Sequence, residues 1–95
     1  MILSDQEWDK AWSVTVIPLP QGCLHLIYPD GEERIFDVWH YLKRKGRTKG
    51  FWGELFDQEY FNTVSTIQNN FPEWDDGLIA FPADFLYTHS ELVKQ

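Results

Sequence analysis

Three histidines, one cysteine and fifteen acidic side chains are the groups in this chain that could ligate a metal, move a proton or act as a nucleophile. His25, His40 and His89 lie far apart in sequence, and none stands at metal-ligand spacing with Cys23. Each has a structural explanation: His25 alternates in a strand, His40 lies on a helix side beside Trp39, and His89 falls on a final amphipathic helix. Asp75 and Asp76 could form a carboxylate pair for acid–base work. In a turn, however, neighbouring side chains diverge, and Asp before Gly77 is ordinary turn chemistry. Cys23 has no basic neighbour in sequence to lower its pKa and make it a nucleophile. No phosphate-cradling glycine loop, nucleophile elbow or metal-binding helix motif is present. The chain is therefore expected to be no enzyme and to take no metal or cofactor.

Binding chemistry is more promising. The run KRKGRTKG, residues 43–50, holds Lys43, Arg44, Lys45, Arg47 and Lys49, five of the eight basic residues in a chain of net charge −7. Such a run is either a local anion site or a solvated loop carrying helix-terminal cations; the absence of interleaved aromatic residues favours the loop. The five Trp, four Tyr and seven Phe are a high aromatic share, and rings of this kind serve cores and binding surfaces alike. Trp39, Tyr41, Phe51 and Trp52 flank the basic run; Tyr41 is expected inward and Trp39 exposed. This defines a candidate partner-binding set of Trp39, Phe51, Trp52, Arg44, Lys45 and Arg47. A second candidate surface is acidic, with Asp30, Glu32, Glu33, Asp75 and Asp76 presented as a decoy for nucleic-acid phosphate.

The remaining composition sets the frame. A 95-residue chain makes one domain, long enough for a real core. The acidic balance repels phosphate and anionic lipid, so direct nucleic-acid binding is not expected. The lone cysteine fits a reducing compartment, and no signal peptide or membrane span is visible, which together predict a cytoplasmic protein with no membrane partner.

The elements that must position these residues can be read in order. Ser4 and Glu7 stand at capping-box spacing, and Leu3 with Trp8 at staple spacing, predicting a helix over 5–10 within a helical extension of residues 1–11. From Trp12 the pattern turns to period two, with Trp12, Val14, Val16 and Pro18 on one strand face. LHLIYPDGEERIFDVWHYL, residues 24–42, predicts a hairpin closed by a two-residue Asp30-Gly31 loop, both at positive φ, which sets Ile35 opposite Leu26 on a shared face. Asp37 caps a helix from Val38 to about Lys45, which Gly46 stops. Phe51, Trp52, Leu55 and Phe56 make an apolar turn, and Asp57 caps a short helix bearing Tyr60 and Phe61. A weakly patterned strand is expected over 64–68, a second hairpin turning near Asp76-Gly77 with a strand over 78–81, and a last helix from Pro82 with Phe85, Leu86, His89, Leu92 and Val93 as its apolar stripe.

The order VTVIPLP, then DGE-x-R-x-FDV-x-x-YL, then GFWGELFDQEYFNTV, Trp74 with Gly77, and the closing Leu86-Tyr87 resembles the bacterial family called domain of unknown function 2442 over most of the chain. That resemblance implies a small α+β domain with no accepted catalytic activity. It also implies bacterial or mobile-element proteins, some fused to a helix-turn-helix and many encoded beside another small protein in a toxin–antitoxin-like arrangement. Three features depart from the pattern: the helical leader before Trp12, the long basic segment, and Ile79 where an aspartate commonly follows the glycine.

The sequence thus predicts one α+β domain over residues 1–95, a small antiparallel sheet of hairpin meander type packed with several short helices. The expected function is a non-catalytic protein-binding module, antitoxin-like or regulatory, that binds a small protein partner or forms a homodimer. The alternative is an acidic nucleic-acid mimic that inhibits a bacterial defence nuclease complex.

Overall fold

The structure, a computed structural model, describes residues 3–66, 71–75 and 77–93. In chain order its elements are α1 (Asp5–Trp12), β1 (Thr15–Leu19), β2 (Cys23–Ile27), β3 (Glu33–Asp37), α2 (Val38–Arg44), α3 (Phe51–Glu54), α4 (Gln58–Phe61), β4 (Glu73–Trp74), β5 (Ile79–Ala80), α5 (Ala83–His89) and β6 (Glu91–Leu92). Four strands form an antiparallel sheet in the order β1-β2-β3-β6, and β4 pairs with β5 in a second, two-stranded sheet. The class is α+β, as the alternation of short period-two runs with capped helical runs implies.

At the N-terminus the capping box forms in full: the Glu7 N–H donates to Ser4 Oγ and the Ser4 N–H donates to Glu7 Oε1. The helix runs on to Trp12, so that ring belongs to α1 and not to the first strand. Leu3 is buried in a small cluster with Ala11 and Ala83, whereas Trp8, its expected staple partner, stays 39% exposed.

The first hairpin differs from expectation by one residue. Tyr28 N–H donates to the Glu32 carbonyl, leaving a three-residue loop of Pro29, Asp30 and Gly31 that the Gly31 N–H closes onto the Tyr28 carbonyl. Pro29 presets the φ that the first turn position needs, Asp30 accepts the Glu32 N–H on its side chain at 2.9 Å, and only Gly31, at φ 89°, turns left-handed. The strand pairing shifts accordingly. Leu24 lies opposite Phe36, Leu26 opposite Arg34 and His25 opposite Ile35. A slip of one residue exchanges the faces: Leu24, Leu26 and Phe36 enter the core, while Ile35 stands on the outer face.

The chain's end also departs from its expected form. The final helix stops at His89, and Glu91–Leu92 becomes a strand beside β3, with the Val93 N–H donating to the Glu33 carbonyl at 2.9 Å. Without it β3 would be an edge with unpaired backbone groups. Leu92 is consequently exposed instead of docked on the sheet. The second hairpin forms as β4 and β5; the expected strand over 64–68 reduces to a bridge between Ser65 and Glu73, and residues 67–70 lie outside the described part.

The helices cover the inner face of the large sheet. Phe36, Tyr41, Phe81 and Phe85 meet ring to ring, with Tyr41 and Phe85 centroids 5.1 Å apart. The buried Trp74 donates its Nε1–H to the Phe61 carbonyl. Most of the aromatic surplus is therefore core.

Candidate functional site

The basic segment is held at both ends. In the last turn of α2 the Gly46 N–H donates to the Lys43 carbonyl and the Arg47 N–H to the Leu42 carbonyl, two bonds that end the helix with Gly46 at φ 70°. At the far side the Thr48 carbonyl lies against Gly53 of α3, so close that a Cβ there would sit 2.8 Å from it. Residues 45–49 thus fold back onto α3 as a defined loop.

The aromatic residues missing from between the charges in sequence are supplied in space. The Arg47 guanidinium lies 5.1 Å over the Trp52 ring, Lys45 Nζ 5.9 Å over Tyr41 and Lys43 Nζ 6.0 Å over Phe56, within cation–π range. Phe51 packs on Trp52 at 5.5 Å and is 44% exposed. The segment is exposed throughout, as expected of a solvated loop with helix-terminal cations, and what the sequence order did not show is that rings lie beneath three of those cations. Lys45 over Tyr41 is an i, i+4 pair at the end of α2 that helical spacing offers, whereas Phe56 meets Lys43 only because the 51–56 stretch returns to α2.

Charge pairing separates this patch from the other cations. Lys10 Nζ contacts Asp30 at 2.7 Å and Glu32 at 3.2 Å, and Arg34 Nε contacts Glu32 at 2.9 Å. Arg34 also donates to the Ser90 carbonyl and lies over Tyr87. Among the described residues, Lys43, Arg44, Lys45, Arg47 and Lys49 enter no ion pair, not even with Glu54 of the adjoining α3.

Of the expected partner-binding set, the structure brings Arg47, Trp52 and Phe51 into contact with one another, sets Lys45 over Tyr41 nearby, places Arg44 on the groove lined by Cys23, His40 and His89, and assigns Trp39 to a different task. Trp39 is half-buried: its Nε1–H donates to the Leu55 carbonyl at 2.6 Å, it contacts Phe56 and Phe61, and its ring lies on Gly22. The expectation of an exposed Trp39 is corrected. A tryptophan whose N–H meets a carbonyl and whose face meets a Cβ-free residue is a structural anchor.

The acidic set is dispersed and largely paired. Asp30 and Glu32 share Lys10, and Glu33 contacts His25 at 2.7 Å. The Lys10 ammonium and the Glu32 N–H hold the Asp30 carboxyl below its ordinary range. For Glu32, burial pushes upward but the bonds from Arg34 and Lys10 outweigh it, and the net direction is down. Asp75 accepts the Tyr60 hydroxyl, and Asp76 lies outside the described residues.

Cys23, His40 and His89, distant in sequence, line one groove of about 490 Å³ together with Asp37, Tyr41 and Arg44. Burial, then the Asp37 carboxylate, raises the Cys23 thiol above its usual range, the opposite of what a nucleophile requires. His89 stacks on Phe85 at 4.1 Å, and the His40 N–H caps α2 on Asp37 Oδ1. Among the described residues no group of three His, Cys, Asp or Glu side chains is arranged to hold a metal ion, and no helix is long and apolar enough to cross a membrane.

Comparison of the chain with protein-family models, with curated proteins and with solved structures gave no match.

Proposed function

We propose that this chain is a non-catalytic protein-binding module, antitoxin-like or regulatory, whose contact surface is the basic patch formed by the end of α2, the 45–49 loop and α3. The observation that carries the reading is the segregation of charge. Lys10 and Arg34 are consumed by carboxylates of the fold, while among the described residues the five cations of 43–49 enter no ion pair, and Arg47 lies over the Trp52 ring that the exposed Phe51 packs on. Exposed charge that meets no carboxylate of the described fold, set around an apolar side chain, is suited to a partner. The antitoxin-like role adds the resemblance described above to this surface. The acidic-mimic alternative receives less support, because Asp30, Glu32 and Glu33 already hold cations or histidine and do not form a free row at phosphate spacing.

The test is affinity capture from the native host with three baits. The wild-type chain and Trp8→Ala, altered at an exposed ring on α1, should retain the same specific protein, while Arg47→Glu with Phe51→Ala should lose it. Equal recovery by all three baits rejects the patch as the contact surface.

A further inference from the structure

The partner's chemistry can be narrowed, resting on the protein-binding reading just given. We infer that the patch receives a short acidic protein segment bearing one apolar side chain, with its carboxylates on Arg47 and Lys45 and its apolar group on Phe51.

Three observations point to that class. First, Arg47 is held against a ring: its guanidinium carbon lies 5.1 Å from the Trp52 centroid, and among the described residues no carboxylate pairs with it. A guanidinium restrained by a ring has less freedom to lose when it forms a two-point bond with a carboxylate. Lys45 over Tyr41 and Lys43 over Phe56 are placed similarly, as point charges. Second, these contacts put cations over Trp52, Tyr41 and Phe56. Single-stranded nucleic acid is gripped by bases stacking on successive open rings, and here Phe51 is the large exposed ring beside the cations. One apolar contact suits one side chain of a peptide. Third, the positive region is short. It spans residues 43–49 of a molecule whose net charge is −7 and whose longest dimension is 36 Å. A polyanion or an anionic membrane would extend past the patch onto acidic surface, and within the ~8 Å screening length of physiological salt that contact is repulsive. A short segment meets the cations alone.

The experiment is calorimetric titration of the intact chain with four probes: a short glutamate-rich peptide containing one leucine, the same peptide with lysine for glutamate, a single-stranded oligonucleotide, and phosphatidylcholine vesicles containing phosphatidylserine. The acidic peptide should bind and the lysine peptide should not. Affinity should weaken as salt is raised. Lys45→Glu with Arg47→Glu should weaken it about tenfold or more, and Phe51→Ala by a smaller factor, with cooperative melting retained by every variant. The inference is overturned if the acidic peptide fails to bind, if the oligonucleotide or the vesicles bind more tightly, or if the double charge reversal leaves affinity unchanged. Its failure is separable from that of the broader reading. A host partner that the wild type captures through a neutral or basic surface, with no dependence on salt, sinks the acidic segment and leaves a protein-binding module. Failure to capture any protein sinks both.

Discussion

Trp39 and Gly22 occupy one volume and can be altered only at the expense of each other. A Cβ at residue 22 would fall 2.1 Å from the indole, and Gly22 is at φ 69°, a conformation that L side chains rarely adopt. Gly22→Ala is therefore expected to cost more than Gly31→Ala, where φ is 89° but nothing lies within 4 Å of the new methyl group. The second should lose about 1–2 kcal/mol from backbone strain, and urea denaturation of both variants will rank them. Trp39→Ala should lose about 3–5 kcal/mol, since it empties a packed site and orphans the Leu55 carbonyl; a variant that unfolds like the wild type would return Trp39 to the list of surface residues. Acid stability draws on the hairpin tip as well as on Glu7 of the α1 capping box, whose bonds with Ser4 lower its carboxyl pKa. Asp30 and Glu32 have lowered carboxyl pKa values, so their contribution is present above the ordinary carboxylate range and is lost as pH falls through the lowered values. The net raised pKa of Lys10, where bonds to Asp30 and Glu32 outweigh burial, matters only in strong base. Lys10→Met should therefore reduce stability near neutrality and flatten its decline below about pH 4, read as melting temperature against pH.

At the scale of elements, local signals were legible where they were complete within a few residues. The Ser4–Glu7 capping box, the Asp37 cap, the Gly46 stop and the β4–β5 hairpin all formed. The failures came where a choice depended on a neighbour in space. Asp30-Gly31 is a two-residue turn signal, yet Pro29 before it favours a three-residue loop, and a shift of one residue put Ile35 outside. Leu92 and Val93 continue a helical stripe from Phe85, but the open edge of β3 draws them into a strand, and no spacing in the final residues could reveal that edge. The patch was partly legible for the same reason: its charges cluster in sequence and Tyr41 stands four residues before Lys45, while Phe56 reaches Lys43 only through the fold. Val93→Pro tests the edge directly. It removes the N–H that bonds the Glu33 carbonyl, so hydrogen exchange should quicken along β6 and the adjoining side of β3 while β1 and β2 keep their protection. Uniform loss of protection would mean that β6 is integral to the cooperative fold.

For the whole molecule, two sets of cations do separate work, and their substitution should separate stability from binding. Lys10 and Arg34 bridge the hairpin tip to Tyr28 and Tyr87, through Lys10 between two carboxylates and Arg34 between Glu32 and the Ser90 carbonyl. Reversing either charge sets it against the carboxylates it now joins. Among the described residues the loop cations meet no carboxylate, so the fold depends on their sign only through their ring contacts and the C-terminus of α2. Lys10→Glu is accordingly expected to lower stability by roughly 1 kcal/mol or more, through a lost network and new like-charge contacts. Lys45→Glu, which gives up the contact with Tyr41 and sets negative charge at the end of α2, should cost no more than about 1 kcal/mol. Thermal melts at low and moderate salt distinguish the causes. Added salt should narrow the deficit of Lys10→Glu, because screening weakens its repulsions, and leave Lys45→Glu close to the wild type throughout. A large destabilisation by Lys45→Glu would show that the 43–49 cations serve the fold, which would remove the reason for assigning them to a partner.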